Sequence, residues 1–247
     1  DARTGGLRWY HQRKANDALD HDLGAAPTLF RSPELKDVLA FGGKDGWVVA
    51  LDRMTRKQIF QTAITTIEGR NATPTEQGVR VCPGAYGGIE WNGLAYDLTR
   101  NALLAGSVDW CTTIKKGKAK YIAGEFFFGG DYQMDPEEKA TGWVTSVDAS
   151  VGTIKWKFHT DKPVVSGITP TAGGIVIFGD TGGTLFALDS ADGKPLYRLP
   201  TAGMIAGGVI TYAINNKQYI AFTSGNVSRM TFGNLGDPSI IVLALPN

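Results

Sequence analysis

The chain has 247 residues, enough to bury a substantial core, and its 25 Lys and Arg nearly balance its 24 Asp and Glu for a formal charge of +1. That balance provides no basic face for a phosphate backbone and no acidic tail, so nucleic acid is not an expected partner. No stretch approaches the ~18 consecutive apolar residues of a membrane-spanning helix, and 32 glycines among short apolar runs favour strands and tight turns over long helices.

In chain order, the first nine residues, Asp1 to Trp9, contain no apolar region of signal-peptide type. The sequence starts without Met and inside a repeat, so any targeting segment is expected upstream. The repeat is an apolar strand that runs into Asp, a turn, and an aromatic residue eight positions beyond: Asp1 to Trp9, Asp52 to Phe60, Asp148 to Trp156 and Asp189 to Tyr197. Its chemistry is plain. Asp accepts hydrogen bonds from turn amides, Gly supplies a positive φ, and the next strand delivers an aromatic that packs between neighbouring sheets. The Asp positions lie 51, 96 and 41 residues apart, so one unit is enlarged rather than missing.

Around the repeats, short β-branched and aromatic runs read as strands at 37–41, 46–51, 88–96, 103–108, 174–178, 184–188, 209–212, 218–222 and 240–245. The fold expected is all-β, a β-propeller of four-stranded antiparallel blades, with about four blades at about 25–60, 88–158, 167–199 and 207–247. Residues 115–140 form an irregular excursion in the second blade, expected as a surface loop. The last blade lacks an outermost strand and residues 6–10 lack inner strands, so a strand at 6–10 is expected to complete the last blade. The alternative is half of an eight-bladed ring, whose other half is missing, carried by another polypeptide, or supplied by a second copy.

Cys82 precedes the strand at 88–96 and Cys111 follows the strand at 103–108, and antiparallel neighbours bring those ends together. A disulfide is one reading and two buried free thiols the other. His11, His21 and His159 share no ligand spacing, and no metal site is expected from them. Asp17, Asp20 and Asp22 lack the Gly and terminal Glu of a calcium loop and are read as turn caps. No Gly-x-Ser-x-Gly elbow anchors a hydrolase.

Four strings go beyond a generic propeller: Asn16-Asp-Ala-Leu-Asp-His-Asp22 with Pro27, Gly43-Lys-Asp-Gly-Trp47 running into Leu51-Asp-Arg53, Cys82-Pro-Gly-Ala-Tyr-Gly-Gly-Ile-Glu-Trp91, and Gly167-Ile-Thr-Pro-Thr-Ala-Gly-Gly-Ile-Val-Ile-Phe-Gly-Asp180. In this order they resemble the C-terminal half of the PQQ-dependent (quinoprotein) alcohol and methanol dehydrogenases, over nearly the whole chain. The resemblance implies an eight-bladed ring with pyrroloquinoline quinone (PQQ) on its axis above a Ca²⁺ or lanthanide ion. It also implies periplasmic or secreted localisation, alcohol or aldehyde substrates, and a cytochrome as an electron acceptor to consider.

Within that resemblance Lys44 matches the basic residue that contacts the quinone oxygens, where a fixed cation stabilises developing negative charge. The plain reading of Lys44 is a solvated turn residue. Glu90 and Trp91 stand where the family has Asn or Asp before Trp. Here the residue is Glu, which either keeps an acceptor at the site or repels the cofactor's carboxylates. Trp91 is equally a packing residue. Ser166 and Gly167 begin a loop that borders the cofactor, with Val165 where the family often has Trp. Asn226, in the matching loop of the last blade, faces the axis or is simply part of a turn.

The resemblance places the family's metal-binding Glu and Asn, the Trp that stacks on the quinone and the general-base Asp upstream of the stretch matching Asp1 to Trp9. No catalytic residue or metal ligand is therefore expected here, and the segment by itself is not expected to turn over. The other reading is a non-catalytic propeller scaffold or binding protein of the outer-membrane-assembly type, since one blade repeat serves both.

Overall fold

In the computed structural model, which describes residues 1–34, 36–118, 120–125, 127, 129–225, 232–233 and 235–244, the apolar runs form antiparallel sheets joined by tight turns. The first sheet takes β1 (Thr28–Arg31), β2 (Asp37–Gly42), β3 (Trp47–Asp52) and β4 (Gln58–Ala63) in that order. After β5 (Val79–Val81), the second sheet begins with β6 (Leu94–Asp97) and β7 (Ala102–Asp109). It is interrupted by β8 (Thr112–Lys116) and β9 (Gly130–Met134), then completed by β10 (Thr141–Asp148) and β11 (Ile154–Thr160), in spatial order β6-β7-β10-β11. The third sheet is β12 (Thr169–Pro170), β13 (Ile175–Gly179), β14 (Thr184–Asp189) and β15 (Pro195–Pro200), and the last is β16 (Val209–Ile214), β17 (Lys217–Ser224) and β18 (Ser239–Ala244).

The inner strands of the first two sheets are largely buried on both faces, which is why runs such as Ala102-Leu-Leu-Ala105 are apolar without alternation. Successive side chains still point opposite ways. Leu103, Ala105 and Val147 pack against Val38, Ala40, Val48 and Phe60 of the first sheet. Their neighbours Leu104 and Val144 pack against Val176, Phe178 and Phe186 of the third. The next layer joins Ile177 and Leu185 to Ile205, in the segment entering β16, and to Val209 and Phe222 of the last sheet. First strands touch in chain order, β1 on β6, β6 on β12 and β12 on β16, so the sheets stack face to face around one line as propeller blades do.

The Asp repeat builds the turn between third and fourth strands. Oδ1 of Asp52 accepts from the Met54 and Thr55 amides, Oδ1 of Asp148 from Ser150 and Val151, and Oδ1 of Asp189 from Ala191. The residue four beyond each Asp has positive φ: Gly5, Arg56, Gly152 and Gly193. At Gly152 and Gly193 a Cβ would lie 2.5 Å from Phe60 and 2.6 Å from Trp156, the repeat aromatics of the preceding blade. The repeat is therefore a lock between blades, and Trp156 secures it further by donating its indole N–H to the Ser190 carbonyl at 3.0 Å. A fifth turn of this chemistry, at Asp97 with positive φ at Asn101, joins β6 to β7. Without a following outer strand it carries no aromatic, so the repeat pattern does not include it.

Two expectations change. Residues 6–10 form no strand, and the last sheet keeps three strands among the described residues. Trp9 instead lies on Phe41, Val49 and Leu51 of the first blade with Arg56 over its ring at 5.8 Å, because its apolar ring finds the outer face of that blade directly beside it. The far face of the last blade is left apolar and open, with Ile240 76% exposed beside Ile210 and Val242. The excursion at 115–140 is not simply a loop either. Within it β9 pairs with β8, which pairs with β5, in a separate three-stranded sheet. Its base is clamped by the Cys82–Cys111 disulfide, which decides the open question about the two thiols.

Candidate functional site

Antiparallel alternation assigns the connections to two ends of the blades. One end holds the Asp turns; the other holds the segments that enter β1, β6, β12 and β16 together with the β2–β3, β7–β10, β13–β14 and β17–β18 connections. Every described residue singled out for cofactor contact lies at this second end.

Lys44 sits in the tight β2–β3 turn, closed by the Gly46 amide donating to the Gly43 carbonyl at 3.0 Å. Its Nζ makes ion pairs of 2.9 Å with both Asp20 and Asp22. Burial alone would lower its pKa, but hydrogen bonds to Asp22 and Asp20 and the nearby Glu90 raise it above the ordinary lysine value, so the cation is permanent at any working pH. Asp20 and Asp22, read from sequence as turn caps, are thus the carboxylates that hold Lys44; only Asp17 caps locally, accepting from the His21 amide at 2.7 Å. The next residue, Asp45, is buried between Arg13 at 2.9 Å and Arg70 at 3.5 Å, which fixes the turn from beneath.

Glu90 is drawn to this turn by the backbone, since the Ile89 amide donates to the Gly43 carbonyl at 3.0 Å. Gly88 has φ +78 and a Cβ there would lie 2.5 Å from the Lys44 carbonyl, so only glycine lets the strands approach. Glu90 is 8% exposed, and its Oε1 is buried with no hydrogen-bond partner. Burial raises its pKa to about 7, with Lys44 pulling it down and Asp22 and Asp20 pushing it up. Sequence reasoning flagged both residues but not this coupling, because Asp20, Lys44 and Glu90 are far apart along the chain.

Trp91 leaves its ring 44% exposed while its indole N–H donates to the Ala206 carbonyl at 3.1 Å. The Gly167 amide donates to the Gly207 carbonyl at 3.0 Å, so the segments entering β6, β12 and β16 meet in one neighbourhood. Ser166 turns its hydroxyl away from it: fully buried, the hydroxyl donates to the Gly179 carbonyl at 2.8 Å and accepts from the Gly179 amide at 2.9 Å. Asn226 lies outside the described residues. A cleft of about 410 Å³ opens at the same end among Trp110, Lys162, Met204 and Phe232. Phe232 stands edge-on to Trp91 at 5.9 Å, so this cleft and the Lys44–Glu90 neighbourhood share a wall. Among the described residues no group of three or more His, Cys, Asp or Glu is arranged to hold a metal ion, and no helix is long and apolar enough to cross a membrane.

Blades locked by Asp turns, with a held cation and a buried acid at the opposite end, define a segment of a β-propeller. The comparisons agree. The chain is 28% identical over 90% of its length to the lanthanide-dependent methanol dehydrogenase of Methylacidiphilum fumariolicum, and 25% identical over 91% to methanol dehydrogenase [cytochrome c] subunit 1 of Paracoccus denitrificans. It spans about two-fifths of those relatives, 40% of each. The crystal structure of quinohemoprotein alcohol dehydrogenase from Comamonas testosteroni superposes on 99% of this chain with a TM-score of 0.84 at 18% identity, 41% of that chain being covered; this likeness establishes the fold. A family model described as outer membrane protein assembly factor BamB matches residues 140–229.

Proposed function

We propose that this chain is the C-terminal part of a periplasmic PQQ-dependent dehydrogenase of alcohols or aldehydes and forms one side of its quinone site. The observation that carries the reading is the coincidence of Lys44, held by two carboxylates, with the orphaned Glu90 oxygen and the exposed Trp91 face at one end of the blades. These groups fit a planar, oxygen-rich ligand: a fixed cation for a quinone oxygen, a buried carboxyl with unused hydrogen-bonding capacity, and an indole surface. When bound, PQQ supplies the two-electron acceptor. Lys44 orients it and holds positive charge where negative charge develops, while Trp91 and the backbone at Gly167 exclude water from one side. Ca²⁺ or a lanthanide ion is held mainly by residues outside this chain. The open apolar face of the last blade receives further blades, from the remainder of a ring or a second copy, and a cytochrome takes the electrons.

The test is retention of PQQ with Ca²⁺ or La³⁺ through gel filtration, read by quinone absorbance. Lys44→Ala is expected to weaken retention roughly 10- to 100-fold, the worth of one charge-assisted hydrogen bond. The match of residues 140–229 to an outer-membrane assembly factor favours a second reading, a non-catalytic scaffold. No retention of quinone under any metal condition supports that scaffold.

A further inference from the structure

The neighbourhood of Glu90 is already negative. Facing it are Lys44 from the β2–β3 turn and Asp20 and Asp22 from the segment before β1, two carboxylates against one ammonium. Tyr86, from the segment before β6, also faces Lys44 and Asp20. Both carboxylates are occupied by Lys44, so Lys44 forms no direct ion pair with Glu90 among the described residues. Toward the ligand's carboxylate and quinone oxygens, all of them acceptors, an ionised Glu90 offers repulsion and no hydrogen bond. A neutral Glu90 meets them with a donor. We propose that Glu90 receives the quinone only as the neutral acid, donating a hydrogen bond from its buried carboxyl to a ligand oxygen, so that cofactor loading takes up one proton and weakens in alkaline solution.

This rests on the quinone reading above and adds to it a proton linkage specific to this chain's Glu in place of Asn or Asp. Glu90's carboxyl, raised to about 7, is poised for such a linkage, since ligand-free protein at pH 8 is mostly ionised there and must take up the proton on binding.

The experiment titrates the chain with PQQ and Ca²⁺ from pH 5 to 9 (roughly two units either side of the Glu90 value), by calorimetry in two buffers of different ionisation enthalpy. Wild type is expected to take up close to one proton on binding at pH 8 and to lose affinity about tenfold per pH unit above 7. Glu90→Gln, a permanent neutral donor of the same shape, is expected to bind with no proton uptake and a flat profile. Wild-type binding without proton uptake, or an unchanged slope in Glu90→Gln, overturns the proposal and leaves the quinone reading intact. Binding by Glu90→Gln but by wild type at no pH also overturns it, making Glu90 an excluder. Absence of binding by wild type, Glu90→Gln and Glu90→Asn at every pH removes the quinone reading and the proposal with it.

Discussion

The two ends of the blades solve different problems with different chemistry. At the turn end one device recurs: an Asp oxygen collects turn amides, a residue with positive φ reverses the chain, and the aromatic of one blade presses on the turn of the next. At the opposite end no two connections are alike; one is a two-residue-cored turn around Lys44, another carries a three-stranded sheet and a disulfide. Interlocking contacts between blades gather where the pattern repeats, and buried charge without complete hydrogen bonding where it does not. That division matches the general rule that chemistry resides in irregular connections positioned by a rigid scaffold.

The largest expected effect breaks the turn end. Trp156→Ala removes a 7% exposed ring and its bond to Ser190 and should cost about 3–5 kcal/mol in urea unfolding; a loss under 1 kcal/mol would mean that the aromatic is not what locks the blades. At the opposite end, replacing Cys82 and Cys111 by Ser opens a loop of 29 residues and is expected to cost about 3–4 kcal/mol by chain entropy. Measured in parallel, the two variants show which end carries more of the stability.

Glu90→Gln sharpens the contrast through pH. The folded chain keeps the Glu90 proton up to about pH 7, whereas the unfolded chain releases it near 4.5, so wild-type stability falls as pH rises between those values. Glu90→Gln should lack that fall and gain up to ~3 kcal/mol on wild type above pH 7 relative to pH 4. Parallel stability–pH curves for the two proteins would show that Glu90 is ionised at ordinary acidity. The smallest effect is a gain. Arg56 has φ 64 at the position where Gly5, Gly152 and Gly193 stand in the other repeats, so Arg56→Gly should relieve strain and add roughly 1 kcal/mol. Its contact over Trp9 is lost at the same time, so a melting temperature below wild type would show that the contact outweighs the strain.

Much of this fold was legible because its devices are local. Asp52, Asp148 and Asp189 act on amides two or three residues away, and their aromatics recur at constant spacing, so sequence determined the blades, the turn chemistry and the approach of Cys82 to Cys111. Lys44, Glu90 and Trp91 were legible as candidates through the strings around them. What only the tertiary structure decided is who faces whom. Asp20 and Asp22 became the partners of Lys44 rather than turn caps, Ser166 spent its hydroxyl on Gly179, and Trp9 packed on the first blade rather than completing the last. Each of these depends on contacts between segments distant in sequence, where burial sets the energy of a charge or a ring, and no spacing rule records how deeply a side chain will be buried.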